Sequence, residues 1–329
     1  MRLATFALLL SVFGASCASQ PAAAVVAGPS PVSCSDATLH TSRFVTVAPN
    51  VRLEVLDWGG SGKAMVLLTG LGDTAHVYND FAFQWTDFYQ VIGITRRGYG
   101  LSSKPANGYD AATRASDDVK VLDALGVRRA VFVGHSIAGE ELSRLGTAYA
   151  DRVDKLVYLD AYDYADRFKL HGDVPGAPYI ESDFGSVYRL NAASARLEGI
   201  RRPIPAICQT FRVDLTPINL KVIKGIGPRV DYAKIRAPRL AIFATYARNV
   251  YPPWYPYLNN GEKATFRANW PPIVEWQADA IARFQSYDPK GTKPTVFTLP
   301  LAPHYIFINN ENFVVRHMRA FLGLPISPK

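Results

Sequence analysis

A chain of 329 residues that is 48% hydrophobic can bury a large core and suits one elaborated domain or two small ones. Its formal charge of +8 comes from scattered Lys and Arg, with no basic run beyond pairs such as Arg96-Arg97, Arg128-Arg129 and Arg201-Arg202. That pattern reads as a solvated basic surface and leaves nucleic-acid binding without a motif. No Cys/His cluster has metal-ligand spacing and no glycine-rich phosphate loop occurs, so no metal and no cofactor are expected.

The chain opens with Arg2, an apolar stretch from Leu3 to Phe13 and a small-residue exit, Gly14-Ala15-Ser16-Cys17-Ala18-Ser19. This is the pattern of a secretory signal peptide over residues 1–18, too short in its apolar part to serve as a permanent membrane anchor. The segment also resembles a bacterial lipoprotein signal with Cys17 as the lipidated residue, although Gly14 stands where that pattern usually has leucine or another aliphatic residue. Cleavage after Ala18 or in the alanine-rich stretch beyond it is the favoured reading, with lipid anchoring through Cys17 as the second. Either way the protein is expected to be exported, periplasmic or secreted, with no transmembrane anchor after processing. Residues 19–36, rich in Ala, Pro, Ser and Gly, read as a linker. Removing the leader leaves Cys34 and Cys208, an even pair for which one disulfide and two unpaired thiols are equally open.

Strand-like segments follow in order. Residues 43–47 and 51–56 alternate around Pro49-Asn50, as in an antiparallel hairpin at a sheet edge. The runs 64–68, 89–94, 130–133 and 155–159 are continuously apolar, the mark of strands buried on both faces. Residues 116–125 carry apolar side chains at helical spacing and stop at Gly126. The alternation pauses from about Tyr162 to Lys234, with short helical candidates at 186–200 and 205–213. It resumes with a strand at 240–244, a helix at 273–286, a strand at 295–299 and a terminal helix around 310–322. These elements predict an α/β fold with a mostly parallel eight-stranded sheet flanked by helices. The pause is too long for a structureless loop and reads as a helical cap inserted after strand 6. The expected organisation is a core at 37–162, a cap at 163–235 and a second core part at 236–329.

Gly134-His135-Ser136-Ile137-Ala138-Gly139 sits between the fifth strand and a helical segment. A serine pinched between strand and helix by small residues is a nucleophile elbow. The turn leaves no room for bulky neighbours, so the hydroxyl of Ser136 projects from the sheet. Ala138 stands where the simplest form of the motif has glycine and keeps its steric logic. Ligands in open parallel sheets bind beyond the carboxyl ends of the strands. The other strand ends are Thr69-Gly70-Leu71-Gly72-Asp73, Arg96-Arg97-Gly98-Tyr99-Gly100, Asp160-Ala161-Tyr162 and Pro300-Leu301-Ala302-Pro303-His304-Tyr305.

Together these motifs resemble the α/β-hydrolase fold family, in the capped, carboxylesterase-like branch related to epoxide hydrolases and haloalkane dehalogenases. The resemblance covers about residues 43–323. It implies Ser136 as nucleophile and His304, after the last strand, as base. The acid most often follows the seventh strand in this family, yet 245–250 contains no carboxylate. Some capped members carry it after the sixth strand, which points to Asp160, with Asp163 and Glu262 in reserve. The pattern assigns the oxyanion-hole N–H groups to Leu71 and Ile137. The Arg97-Gly98-Tyr99-Gly100 turn resembles the family's Arg-Gly-x-Gly loop and reads as scaffolding. Dehalogenases and epoxide hydrolases of this branch attack with aspartate, whereas serine suits acyl transfer to water. The implied activity is that of an exported serine hydrolase acting on a small hydrophobic carboxylic ester. A C–C bond hydrolase, lactonase or acyltransferase with the same triad is one alternative. The other is a non-catalytic envelope binding protein that kept the fold. Aromatic residues in the cap and after the seventh strand, Tyr162, Tyr164, Tyr251 and Trp254 among them, are the candidate substrate pocket.

Overall fold

The strand β1 (Thr41–Ala48) pairs antiparallel with β2 (Val51–Gly59), and the turn between them puts Asn50 at a positive φ of 60°, which asparagine tolerates. The computed structural model describes residues 39–165, 216–247, 260–287 and 290–326. The proposed leader and linker, the helical candidates at 186–200 and 205–213, both Cys34 and Cys208, and Tyr251 and Trp254 lie outside them. Six further strands complete the sheet: β3 (Ala64–Leu68), β4 (Gln90–Ile94), β5 (Ala130–His135), β6 (Val153–Leu159), β7 (Arg239–Thr245) and β8 (Thr295–Pro300). Their spatial order is β1-β2-β4-β3-β5-β6-β7-β8, with every pair from β4 to β8 parallel. All eight expected strands are present, as is the edge hairpin.

Period-two alternation splits the sheet into two cores, because successive strand side chains point to opposite faces. Val66, Phe132, Leu156, Tyr158 and Phe243 face one side. There they meet α2 (Ala111–Ala124) through Val121 and Leu122, α3 (Ala138–Ala148) through Leu142 and Leu145, and Phe284. Met65, Val133, Val157, Leu240 and Ile242 face the other side with Phe81, Trp85, Phe307 and Met318. Phe81 belongs to the short α1 (Asn79–Ala82). Phe307 belongs to the short α6 (Ile306–Asn309) and Met318 to α7 (Glu311–Leu322). Apolar burial on both faces explains why β3 to β7 read as unbroken hydrophobic runs.

Two helices start earlier than their apolar periodicity predicts. The helix expected from Ser116 begins at Ala111, since Asp110 caps it by accepting the backbone N–H of Thr113 at 2.9 Å. The helix expected from Ile273 runs over Asn260–Phe284 as α5 and carries Pro271 and Pro272 inside it. A proline pair reads as a helix start in the sequence, but Trp270 just before it is buried against Tyr246 and donates its indole N–H to the carbonyl of Ala247 at 3.1 Å. Of the chain between β6 and β7, α4 (Thr216–Lys224) is described. Its Asn219 accepts the Tyr99 hydroxyl at 2.7 Å, and its Val222 packs with Tyr99, Tyr109 and Ile137.

Candidate active site

β5 ends in the elbow. Ser136 has φ 55°, a left-handed backbone that costs a non-glycine residue and persists only where its surroundings enforce it. They do so here through close packing. A Cβ on Gly134 would lie 2.9 Å from Cβ of Ala138 and from Cδ1 of Leu142, so α3 comes this close to β5 only with glycine there. A Cβ on Gly139 would fall 2.3 Å from the carbonyl oxygen of Tyr162, which brings the end of β6 against the same helix. Asp160 follows β6 with φ 44°, the second strained residue at a central strand end.

The three residues expected from the motifs converge. His304 Nε2 lies 2.9 Å from Ser136 Oγ, and His304 Nδ1 lies 2.6 Å from Asp160 Oδ2. An ionised carboxylate only accepts, so the proton between them belongs to Nδ1, and Nε2 is left to accept from the serine hydroxyl. The other oxygen of Asp160 accepts the backbone N–H of Ala244 at 3.0 Å and the hydroxyl of Tyr162 at 2.8 Å. Gln277 of α5 donates to the Tyr162 oxygen at 3.0 Å and to the Ala244 carbonyl at 2.8 Å. Asp160 is thereby held by β7 and α5 as well as by its own strand.

The reserve carboxylates stand elsewhere. Asp163 accepts from Ala165 N–H, from Val230 N–H and from Arg283 at 2.8 Å, tying the chain just after β6 to the chain ahead of β7. The side chain of Glu262 lies outside the described residues. Tyr162, expected in the pocket, is buried, stacked on Phe243 and bonded to Asp160, so it backs that carboxylate. Tyr164 stacks on Trp276 and packs beside the cluster that contains Ile137. Leu71 joins that cluster too, which brings together the two loops that carry the expected oxyanion donors.

Several supporting residues escaped the sequence reading. His135 is fully buried, packs with its ring centroid 4.5 Å from that of His304 at a 45° tilt, and places Nε2 3.1 Å from the His304 carbonyl oxygen. Burial first, and then the neighbouring His304, hold His135 well below the usual histidine range, so it is neutral and donates from Nε2. Tyr305 donates its hydroxyl to the Asp73 carboxylate at 3.1 Å, joining the loop after β3 to the loop after β8. Burial pushes Asp73 up to about 6, against the opposing bond from Tyr305. Arg96 and Arg97 depart from the generally solvated basic surface expected of the scattered charges, and Arg97 lies in the turn read as scaffolding. Both are buried, Arg96 against Glu141 and Arg97 against Asp117 at 2.7 Å. A sequence shows that arginines are present but not the acidic partners that let them be buried.

Among the described residues, no group of three or more His, Cys, Asp or Glu is arranged to hold a metal ion. None of their helices is long and apolar enough to cross a membrane.

A parallel sheet with an antiparallel edge hairpin, a serine elbow and a histidine beyond the last strand define a hydrolase of the α/β class. Residues 65–316 match the model of the alpha/beta hydrolase family, and the chain belongs to that family. It is 28% identical over 144 residues to a 2-(acetamidomethylene)succinate hydrolase of Mesorhizobium japonicum, covering 43% of this chain and 46% of that protein. To the esterase YbfF of Escherichia coli K12 it is 28% identical over 146 residues, or 44% of this chain and 57% of the relative. The chain thus spans about half the length of these curated relatives. A probable hydrolytic enzyme of Pseudomonas aeruginosa superposes with a TM-score of 0.62 at 20% identity, over 87% of this chain and 95% of that one. Est816, described as degrading N-acyl homoserine lactones, superposes at 0.61 and 22% identity, over 85% of this chain and all of Est816. At such identities the superpositions speak for the fold alone.

Proposed function

We propose that this protein is an exported serine hydrolase that cleaves a small hydrophobic carboxylic ester. The observation that carries the reading is the unbroken chain Ser136 Oγ, His304, Asp160, with links of 2.9 and 2.6 Å. In the first half-reaction His304 Nε2 takes the Ser136 proton as Oγ bonds to the acyl carbon, and the carbonyl oxygen becomes an oxyanion. Backbone N–H groups of Leu71 and Ile137 receive that charge. The oxyanion collapses, the alkoxide leaves, and His304 Nε2 returns the proton to it. In the second half, water attacks the acyl-enzyme, His304 removes its proton, and the Ser136–acyl bond breaks with the proton going back to Oγ. Asp160 keeps the imidazole in the required tautomer and stabilises the imidazolium formed in each half.

The apolar surroundings of Ile137 and Leu71, with Tyr164 and Ile218 beside them, favour a hydrophobic acyl or alcohol group. Export rests on the leader pattern of residues 1–18, and the intact mass of secreted or periplasmic material distinguishes cleavage after Ala18 from lipidated Cys17. The chemistry is tested by incubating purified protein with a fluorophosphonate, mapping the adduct, and assaying p-nitrophenyl esters beside lactones and vinylogous diketones. Labelling confined to Ser136 with turnover of short esters is expected. An adduct elsewhere, or none, rejects the serine assignment, and turnover of lactones or diketones alone moves the substrate class.

A further inference from the structure

Arg96 stands just past β4, buried, and the serine-hydrolase reading gives it no part. Its guanidinium makes a fork-to-fork pair with Glu141 of α3, Nε to Oε1 at 2.7 Å and Nη2 to Oε2 at 2.6 Å. Its remaining reach goes to two backbone carbonyls of the loop after β3: Nη2 donates to Thr69 O at 2.9 Å and Nη1 to Gly70 O at 3.1 Å. Burial alone would lower the Arg96 pKa, but the Glu141 carboxylate outweighs it and drives it up. Glu141 in turn is kept ionised by Arg96 first and Arg114 second, against its own burial. One cation therefore joins the helix that follows Ile137 to the loop that carries Leu71.

We propose that Arg96 is a positioning residue that sets the oxyanion-binding peptide of Leu71 in register with that of Ile137. The inference rests on the serine-hydrolase reading. The carbonyl of Gly70 and the N–H of Leu71 belong to one planar trans peptide and point in opposite directions. Pinning the oxygen onto a buried guanidinium therefore turns the Leu71 N–H away from it. A flip of that peptide would turn ψ of Gly70 and φ of Leu71, and the glycine side resists that rotation only weakly, so the bond from Arg96 adds the restraint that Gly70 lacks. A flip would aim a carbonyl oxygen where the developing negative charge is meant to be received.

The test compares wild type with Arg96→Lys and with Arg96→Met. Lysine keeps a positive charge beside Glu141, but one ammonium cannot serve Glu141 and both carbonyls together. Arg96→Met removes the guanidinium yet leaves the buried Glu141 with a cation beside it, since Arg114 Nη1 lies 3.5 Å from Oε2. It keeps the experiment decisive if the lysine variant fails to fold. In whichever folds, by circular dichroism and a cooperative melt, kcat on p-nitrophenyl acetate should fall about 10²-fold, the scale of losing one oxyanion donor. KM should stay within about threefold, since a group acting on the transition state leaves ground-state binding alone. Fluorophosphonate labelling of Ser136 should slow in parallel. A folded variant with unchanged kcat, or with its whole loss in KM, overturns the proposal. Wild-type protein that takes no label at Ser136 rejects the hydrolase reading itself, whereas wild type and variants that label equally fast reject the role of Arg96 alone.

Discussion

Ser136 and Asp160 leave strands buried on both faces, whereas His304 hangs from the loop after β8, an edge strand half open to solvent. The side chain of Asp160 is 3% exposed and that of His304 37%. The difference lies in how each residue is held. Ser136 and Asp160 sit on left-handed backbone that neighbouring strands and α3 enforce, and neither can move without repacking the core. His304 has no such frame. Its ring is placed by the two side chains it serves, its carbonyl by His135, and its loop by the bond from Tyr305 to Asp73. In the proposed mechanism His304 has to meet two partners in turn, and a lightly framed loop suits that task better than a strand end.

The largest effect is expected at the rigid end. Ser136→Ala should remove on the order of 10⁵- to 10⁶-fold of kcat with the melt unchanged, because nothing replaces the nucleophile. Asp160→Asn should fold and lose about 10⁴-fold in kcat, as an amide at this position favours the wrong imidazole tautomer. Asp163→Asn should leave turnover nearly intact and lower the melting temperature, since its carboxylate binds Arg283 and the backbone N–H groups of Ala165 and Val230. A reversed ranking of these two, measured on equally folded proteins, would move the acid away from β6.

Tyr162→Phe sharpens the comparison by taking one bond from the acid while its ring stays on Phe243. A lost hydrogen bond to a charged group is worth about 1.5 kcal/mol, so kcat should fall roughly tenfold with KM unchanged. No change in kcat would mean that the N–H of Ala244 holds Asp160 alone.

The smallest effect concerns stability and pH beside the elbow. Glu140 accepts the N–H of Tyr164 at 2.7 Å, and burial first, then Asp163, push it up to about 7. A carboxyl that holds its proton more tightly when folded stabilises the fold below its unfolded pKa. That contribution is lost as pH rises through about 7. Gln at this position still accepts the Tyr164 N–H and does not titrate. The melting temperature of Glu140→Gln relative to wild type should therefore climb by a few degrees between about pH 5 and about pH 8. A pH-independent difference would show that Glu140 is ionised throughout.

Much of the fold was legible along the chain because its signals are local. Each strand run and its bounding turn lie within a few residues of one another, and the small residues around Ser136 report the crowding of their own turn. Even the order Ser136, Asp160, His304 is a property of the chain, once strand ends are taken as the place where chemistry gathers. What escaped is pairing across distance. Arg96 and Arg97 looked like surface charge because Glu141 and Asp117 lie 45 and 20 residues away. Tyr162 looked like a pocket wall because its two supports, Gln277 and the peptide of Ala244, are supplied by α5 and β7. Asp73 and Tyr305 are 232 residues apart and carry no shared motif. The sequence by itself determined the element order, the elbow and the three candidate catalytic residues. Tertiary structure alone decided which buried charges are paired, which loop pins which, and where strain is held, because burial and partnership arise only when distant segments are packed together.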